Sequence, residues 1–122
     1  AVANYQDNGG SDGSYPYGSA IRWDLNEGAA AGSRFTNVEV RADDGTWSAI
    51  DLGATYVVVT NSFLAAGGDG WFTFGTATAE GRTVDTFINY AQGFIDWLEQ
   101  DAGGVASVPA PENFSTQSFI SA

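Results

Sequence analysis

Apolar and polar positions alternate in two stretches of the first half of the chain. Across Ala20 to Leu25, Ile21, Trp23 and Leu25 fall on one face and Arg22 and Asp24 on the other, the period of a half-buried strand. Arg34 to Arg41 alternates again through Phe35, Val38 and Val40, with an irregularity at Thr36-Asn37. Asp43-Asp44-Gly45 reads as a hairpin turn, and Thr46 to Ile50 as the returning strand. At Tyr56 the pattern changes. Tyr56-Val57-Val58-Val59-Thr60 is an unbroken β-branched run, which predicts a central strand covered on both faces. A polar break, Asn61-Ser62, a short apolar step, Phe63 to Ala66, and the turn Gly67-Gly68-Asp69-Gly70 follow it. Trp71 to Phe74 extends as partial strand, and Gly75 to Arg82 as a polar loop. From Thr83 to Asp101, Phe87, Ile88, Ala91, Phe94, Ile95 and Leu98 recur at helical spacing. Thr83 or Asp85 can cap that helix, and Gly103-Gly104 ends it.

The ends carry weaker signals. Ala1 to Tyr5 reads as the last turn of a helix begun upstream, and Gln6 to Gly18 as a loop rich in Gly, Ser, Asp and Tyr. Val105 to Pro111 is linker-like, and Glu112 to Ala122 is a polar tail holding Phe114, Phe119 and Ile120. Strands lead and a helix follows, so the expected class is α+β (mixed α/β), with the long helix packed on the sheet. Residues 1–101 form the domain and 102–122 the linker-like stretch and tail.

Composition narrows the function classes. At 122 residues the chain fits one small domain with a real core, and 43% hydrophobic content argues for a folded protein. Fifteen acids against four bases give a net charge of −11, and all four bases are arginines. Such a surface repels nucleic acids and anionic membranes. No run approaches transmembrane length. The absence of cysteine excludes disulfides and thiolate metal sites. The absence of histidine excludes an imidazole base, His-ligated metal and Ser-His-Asp or Cys-His catalysis within these residues. With neither an initiator Met nor a signal peptide, Ala1 reads as a cut end inside a longer precursor.

The turn after the valine run is the main candidate site. Glycines around one acid allow positive φ and close approach of another group. Phe63 offers a flat apolar face and Asp69 a carboxylate that accepts hydrogen bonds from hydroxyls. The alternative is that Phe63 is core and Asp69 caps its own turn. Asp7 to Gly13 has calcium-loop residues without the oxygen-ligand spacing or terminal Glu of such a loop, and reads as solvated. Arg22 and Arg34 read as partners of neighbouring acids, and Phe87, Tyr90, Phe94 and Trp97 as core. There is no phosphate-cradling P-loop and no nucleophile elbow.

YVVVTNSFLAAGGDGWFTF strongly resembles the signature strand and turn in the C-terminal domain of the 5'-nucleotidases, a group that includes UDP-sugar hydrolases. YPYGSAIRWDLN resembles the aromatic-flanked S-G-[IL]-R strand of that family, with Ala20 where glycine is usual. GSRFTNVEV resembles its G-x-R-V-x-x-V-x-V strand, and DTFINYAQGFIDWLEQ its terminal helix. The resemblance implies that Phe63 stacks on a nucleobase and Asp69 hydrogen-bonds the ribose hydroxyls, with Gly67 and Gly68 of the same turn in the substrate-binding set. It implies a periplasmic or extracellular phosphohydrolase whose two divalent metal ions sit in a catalytic domain outside this chain; these residues hold no cofactor. The family's phosphate-side arginine segment and second aromatic segment are not present. Residues 1–101 therefore resemble the later part of a substrate-binding domain. Its expected partners are a nucleotide or nucleoside, the catalytic domain, the upstream half of the same domain and, through unpaired edges, a further copy in a homo-oligomer. On this reading the chain alone hydrolyses nothing. The rival reading is a non-catalytic acidic module that binds a sugar or a surface partner.

Overall fold

Ile21, Trp23 and Leu25 line one face of a strand, as their spacing predicts. In the computed structural model, which describes residues 15–121, that strand is β1 (Ile21–Asn26). It joins β2 (Phe35–Arg41), β3 (Trp47–Ala49) and β4 (Thr116–Ile120) in one sheet of order β3-β2-β1-β4. The chain divides into two units: Ala1–Tyr56 with Pro109–Ala122, which holds the sheet, and Val57–Val108, which holds the helices α1 (Ser62–Ala65), α2 (Phe72–Ala79) and α3 (Tyr90–Gln100). The architecture is mixed α+β. The expected helix at Ala1 to Tyr5 and the loop at Asp7 to Gly13 lie outside the described residues.

The sheet unit is built around β1. Trp23 and Leu25 are the buried hydrophobic side chains among the described residues, with Leu25 1% exposed. Phe35 meets Trp23 edge-on, the rings 5.5 Å apart at 89°, the arrangement the ring quadrupoles favour. The irregularity at Thr36-Asn37 is a bulge. Arg22 pairs with Glu39 and Asp24 with Thr36, so β2 has one residue more than β1 across this step. Asn37 takes φ 49° there, and its amide Nδ2 donates to Asp24 Oδ2 at 2.6 Å. Arg22 pairs with Glu39 at 2.7 Å and lies over the Trp47 ring, 4.3 Å from its centre.

The hairpin between β2 and β3 follows its turn chemistry. Gly45 N–H donates to Ala42 O at 2.9 Å, and Gly45 takes φ 87°, which closes a three-residue loop. Asp44 Oδ1 accepts from Thr46 N–H at 2.9 Å. That bond, with a second from the Thr46 side chain, holds the Asp44 carboxyl below its usual 3.8.

Residues 116–120, expected as polar tail, instead form β4, which runs parallel to β1 at the sheet edge. Trp23 N–H donates to Ser115 O at 2.8 Å and Glu27 N–H to Ile120 O at 2.9 Å, satisfying the free edge of β1. A parallel neighbour requires a long crossover, and here residues 27–115 supply it.

The second unit departs further from the sequence reading. Tyr56 to Thr60 was expected as a buried central strand, but no strand pairs with it; Val57 is 94% exposed and Val59 93%. An apolar run becomes a central strand only where neighbours accept its ladder bonds on both edges, and this unit contains no strand. Of Trp71 to Phe74, expected as partial strand, Trp71 is the N-cap and Phe72 to Phe74 join part of the following loop in α2 instead. Thr78 Oγ1 donates to Ala65 O at 2.6 Å, and contact with α1 overrides the β preference of the aromatics. The long helix begins at Tyr90, not Thr83. Asp85 Oδ1 takes the Phe87 N–H at 2.7 Å, Phe87 sits at φ 55°, and Asn89 Oδ1 caps α3 through Ala91 N–H at 2.9 Å. Two Asx side chains thus compete with the helix until the second one starts it. α3 belongs to the unit without strands and buries no residue, so the expected core aromatics Phe87, Tyr90, Phe94 and Trp97 are exposed.

Candidate functional site

The Gly67–Gly70 turn is clamped by the helices on either side of it. Asn61 starts α1, its Oδ1 accepting Leu64 N–H at 2.9 Å, so the polar break after the valine run is an N-cap. Gly67 ends α1 at φ 92°, its N–H donating to Leu64 O at 2.9 Å. Gly68–Gly70 then make one turn of 3-10 helix before α2. Gly75 of α2 lies directly on the turn. A methyl group built on Gly75 would stand 3.1 Å from Ala66 O and 3.2 Å from Gly67 Cα, so the two backbones meet with no side chain between them. Trp71 and Phe74 stack beside it, centres 5.1 Å apart and planes 16° apart.

The structure brings the four sequence-predicted residues onto this one feature. Phe63, 58% exposed as a residue, stands on α1 with its ring resting against Gly68. Asp69 follows Gly68 at φ 52°, ψ 32°, a left-handed conformation that Asp tolerates better than most side chains. Its side chain is exposed, and among the described residues no hydrogen bond or ion pair engages its carboxylate. Phe63 is therefore not core, and Asp69 does not cap its own turn. The turn presents an exposed aromatic side chain and an unengaged carboxylate on a backbone that Gly67 and Gly75 bring into close contact. That combination suits a ligand with a flat apolar part and adjacent hydroxyls.

Sequence reasoning passed over Asn61 and Gly75. Asn61 had a signal, an Asx residue directly before Ser-Phe-Leu-Ala. Gly75 had none, because its role depends on a contact with Gly67. Among the described residues no group of three or more Asp or Glu side chains gathers to hold a metal ion. No helix among them is long and apolar enough to cross a membrane.

A family model described as "5'-nucleotidase, C-terminal domain" matches residues 2–76, a span that contains β1 to β3, Phe63 and the whole turn. The chain belongs to the 5'-nucleotidase C-terminal domain family. It is 38% identical over 95 residues to the NAD 5'-nucleotidase of Haemophilus influenzae, covering 75% of this chain and 16% of that protein. It is 34% identical over 90 residues to a probable 5'-nucleotidase of Treponema pallidum, covering 73% of this chain and 15% of that protein. Among solved structures, the NAD nucleotidase of Haemophilus influenzae superposes with a TM-score of 0.81 at 30% identity. That match covers 99% of this chain and 21% of that one. The chain thus spans roughly a sixth of these two curated relatives. The family match spans the whole Asn61–Gly70 segment, with Phe63 and Asp69 on it.

Proposed function

We propose that this chain is the substrate-recognition part of a secreted or periplasmic 5'-nucleotidase-like phosphohydrolase. Phe63 stacks on the nucleobase, and the Asp69 carboxylate accepts hydrogen bonds from the ribose hydroxyls. Gly67 supplies the left-handed bend that carries both. The observation behind this reading is the pairing of an exposed Phe63 ring with an unengaged Asp69 carboxylate on one braced turn. Family membership and relatives named as nucleotidases support it.

The chain's own contribution is positioning. A base held on one face and a diol on one carboxylate fix the nucleoside, and with it the direction of the phosphate ester. The two divalent ions that hydrolysis calls for are assigned to a catalytic domain outside this chain, in keeping with a chain that has no histidine and with described residues among which no group of three or more acids gathers. No step of bond breaking is assigned to the residues described.

Adenosine, which has base and ribose but no phosphate, tests the reading in the full-length protein. It should inhibit competitively, and Phe63→Ala and Asp69→Ala should each raise its inhibition constant about tenfold, the scale of one base stack or one charged hydrogen bond. Unchanged inhibition in both variants contradicts the assignment. Cell fractionation checks the location.

A further inference from the structure

Gly68 has no backbone reason to be glycine. Gly67 at φ 92° and Gly70 at φ 78° occupy the left-handed region, and Gly68 does not. A methyl group built on Gly68 would nonetheless stand 2.5 Å from Phe63 Cε1 and Cζ and 2.7 Å from Cδ1. Its three nearest neighbours are all atoms of that ring. Carbon atoms do not share space at that distance, so one group must leave. The backbone can accept alanine here, and Phe63, 58% exposed as a residue, has room to swing its ring outward. The ring yields.

We infer that Gly68 is a positioning residue: its missing side chain is the seat that fixes the Phe63 ring for stacking on a nucleobase. The inference rests on the role proposed above for Phe63, and it changes the role of Gly68 from ligand contact to support. A ring seated against backbone has few alternatives to choose among, so little rotamer freedom is lost when a flat ligand lands on it. The same seat ties Phe63 to the residue next to Asp69, so one turn sets both recognition groups.

Steady-state kinetics of the full-length protein with adenosine 5'-monophosphate and with ribose 5-phosphate, which lacks a base, test this. Phe63→Ala and Gly68→Ala should each raise KM for the nucleotide about tenfold, leave KM for ribose 5-phosphate unchanged, and leave kcat unchanged. Because Gly68 acts through the ring, Phe63→Ala/Gly68→Ala should match Phe63→Ala alone. Three results overturn the inference while the base-stacking reading stands. These are a wild-type nucleotide KM in Gly68→Ala, an equal rise for both substrates, and effects of the two substitutions that add. No effect of Phe63→Ala removes the stacking reading and the inference with it. Should Gly68→Ala be insoluble, the double variant decides. Recovery of soluble protein once the ring is gone supports the seat, and continued insolubility contradicts it.

Discussion

Asp69 sits at φ 52°, ψ 32°, where a side chain costs energy that glycine avoids. Glycine stands on both sides of it, and the strained position is kept for the one residue with a carboxylate. A left-handed side chain with no partner of its own is consistent with the binding role proposed above for Asp69. Asp69→Gly separates the two roles. The substitution relieves the left-handed strain and should leave stability within about 1 kcal/mol of the parent. It should also abolish discrimination between a ribonucleotide and its 2',3'-dideoxy counterpart. Thermal melts and paired KM values check both halves. Retained discrimination would show that the ribose contact lies elsewhere. Leu25 gives the contrasting case. It is 1% exposed at the centre of the sheet, and Leu25→Ala should cost about 2–5 kcal/mol in denaturant unfolding without touching nucleotide recognition.

The β2–β3 hairpin shows how an element is stated in its own sequence. Asp43-Asp44-Gly45 specifies the turn, and Gly45 takes the positive φ that the loop requires. The Thr46 backbone N–H and hydroxyl stabilise the ionised Asp44 carboxylate, so its pKa falls below 3.8 in the fold. A lowered carboxylate pKa means that this contribution is complete above the unfolded value and is lost as pH falls through the folded one. Carboxyl NMR should give Asp44 a midpoint below 3.8, and Thr46→Ala, which keeps the N–H and removes the hydroxyl, should move it part of the way back. A midpoint that ignores the substitution would leave the backbone bond as the whole cause. β1, β2 and their bulge were legible for the same local reason: Ile21, Trp23 and Leu25 alternate, and Asn37 tolerates the left-handed bend. β4 was not. Its Thr-Gln-Ser-Phe-Ile sequence has no clean alternation and gains its place only by pairing with β1 from far along the chain. The valine run failed the other way, because Val57 to Val59 state a preference for burial that only a neighbouring strand can satisfy. α3 shows the limit of periodicity, which continued past Asn89 while the Asp85 and Asn89 side chains fixed where the helix starts. At the site, the aromatic and the acid were legible from residue types. Gly75 and the seat at Gly68 were not, because each is defined by an atom that its neighbour would strike.

At the scale of the molecule, the two units differ in how they are held. Leu25 and Trp23 give the sheet unit a small core, whereas no side chain in Val57–Val108 is buried. A segment that buries so little apolar surface cannot offset its conformational entropy. Residues 57–108 expressed alone should show no cooperative thermal transition by circular dichroism, and a sharp melt would contradict this. The chain covers 16% and 15% of two of its relatives, and the recognition role proposed above is that of one part of such a protein. The net charge of −11 repels phosphate-rich polymers, so the proposed ligand is a single nucleotide held at one turn and not a nucleic acid.

The central claim is that these residues position a nucleotide and break no bond. The most direct measurement is the steady-state kinetics of Phe63→Ala/Asp69→Ala in the full-length protein with adenosine 5'-monophosphate. The account predicts KM raised about a hundredfold, two recognition contacts of about tenfold each, with kcat within about threefold of the parent. A kcat lower by orders of magnitude at unchanged KM would contradict it.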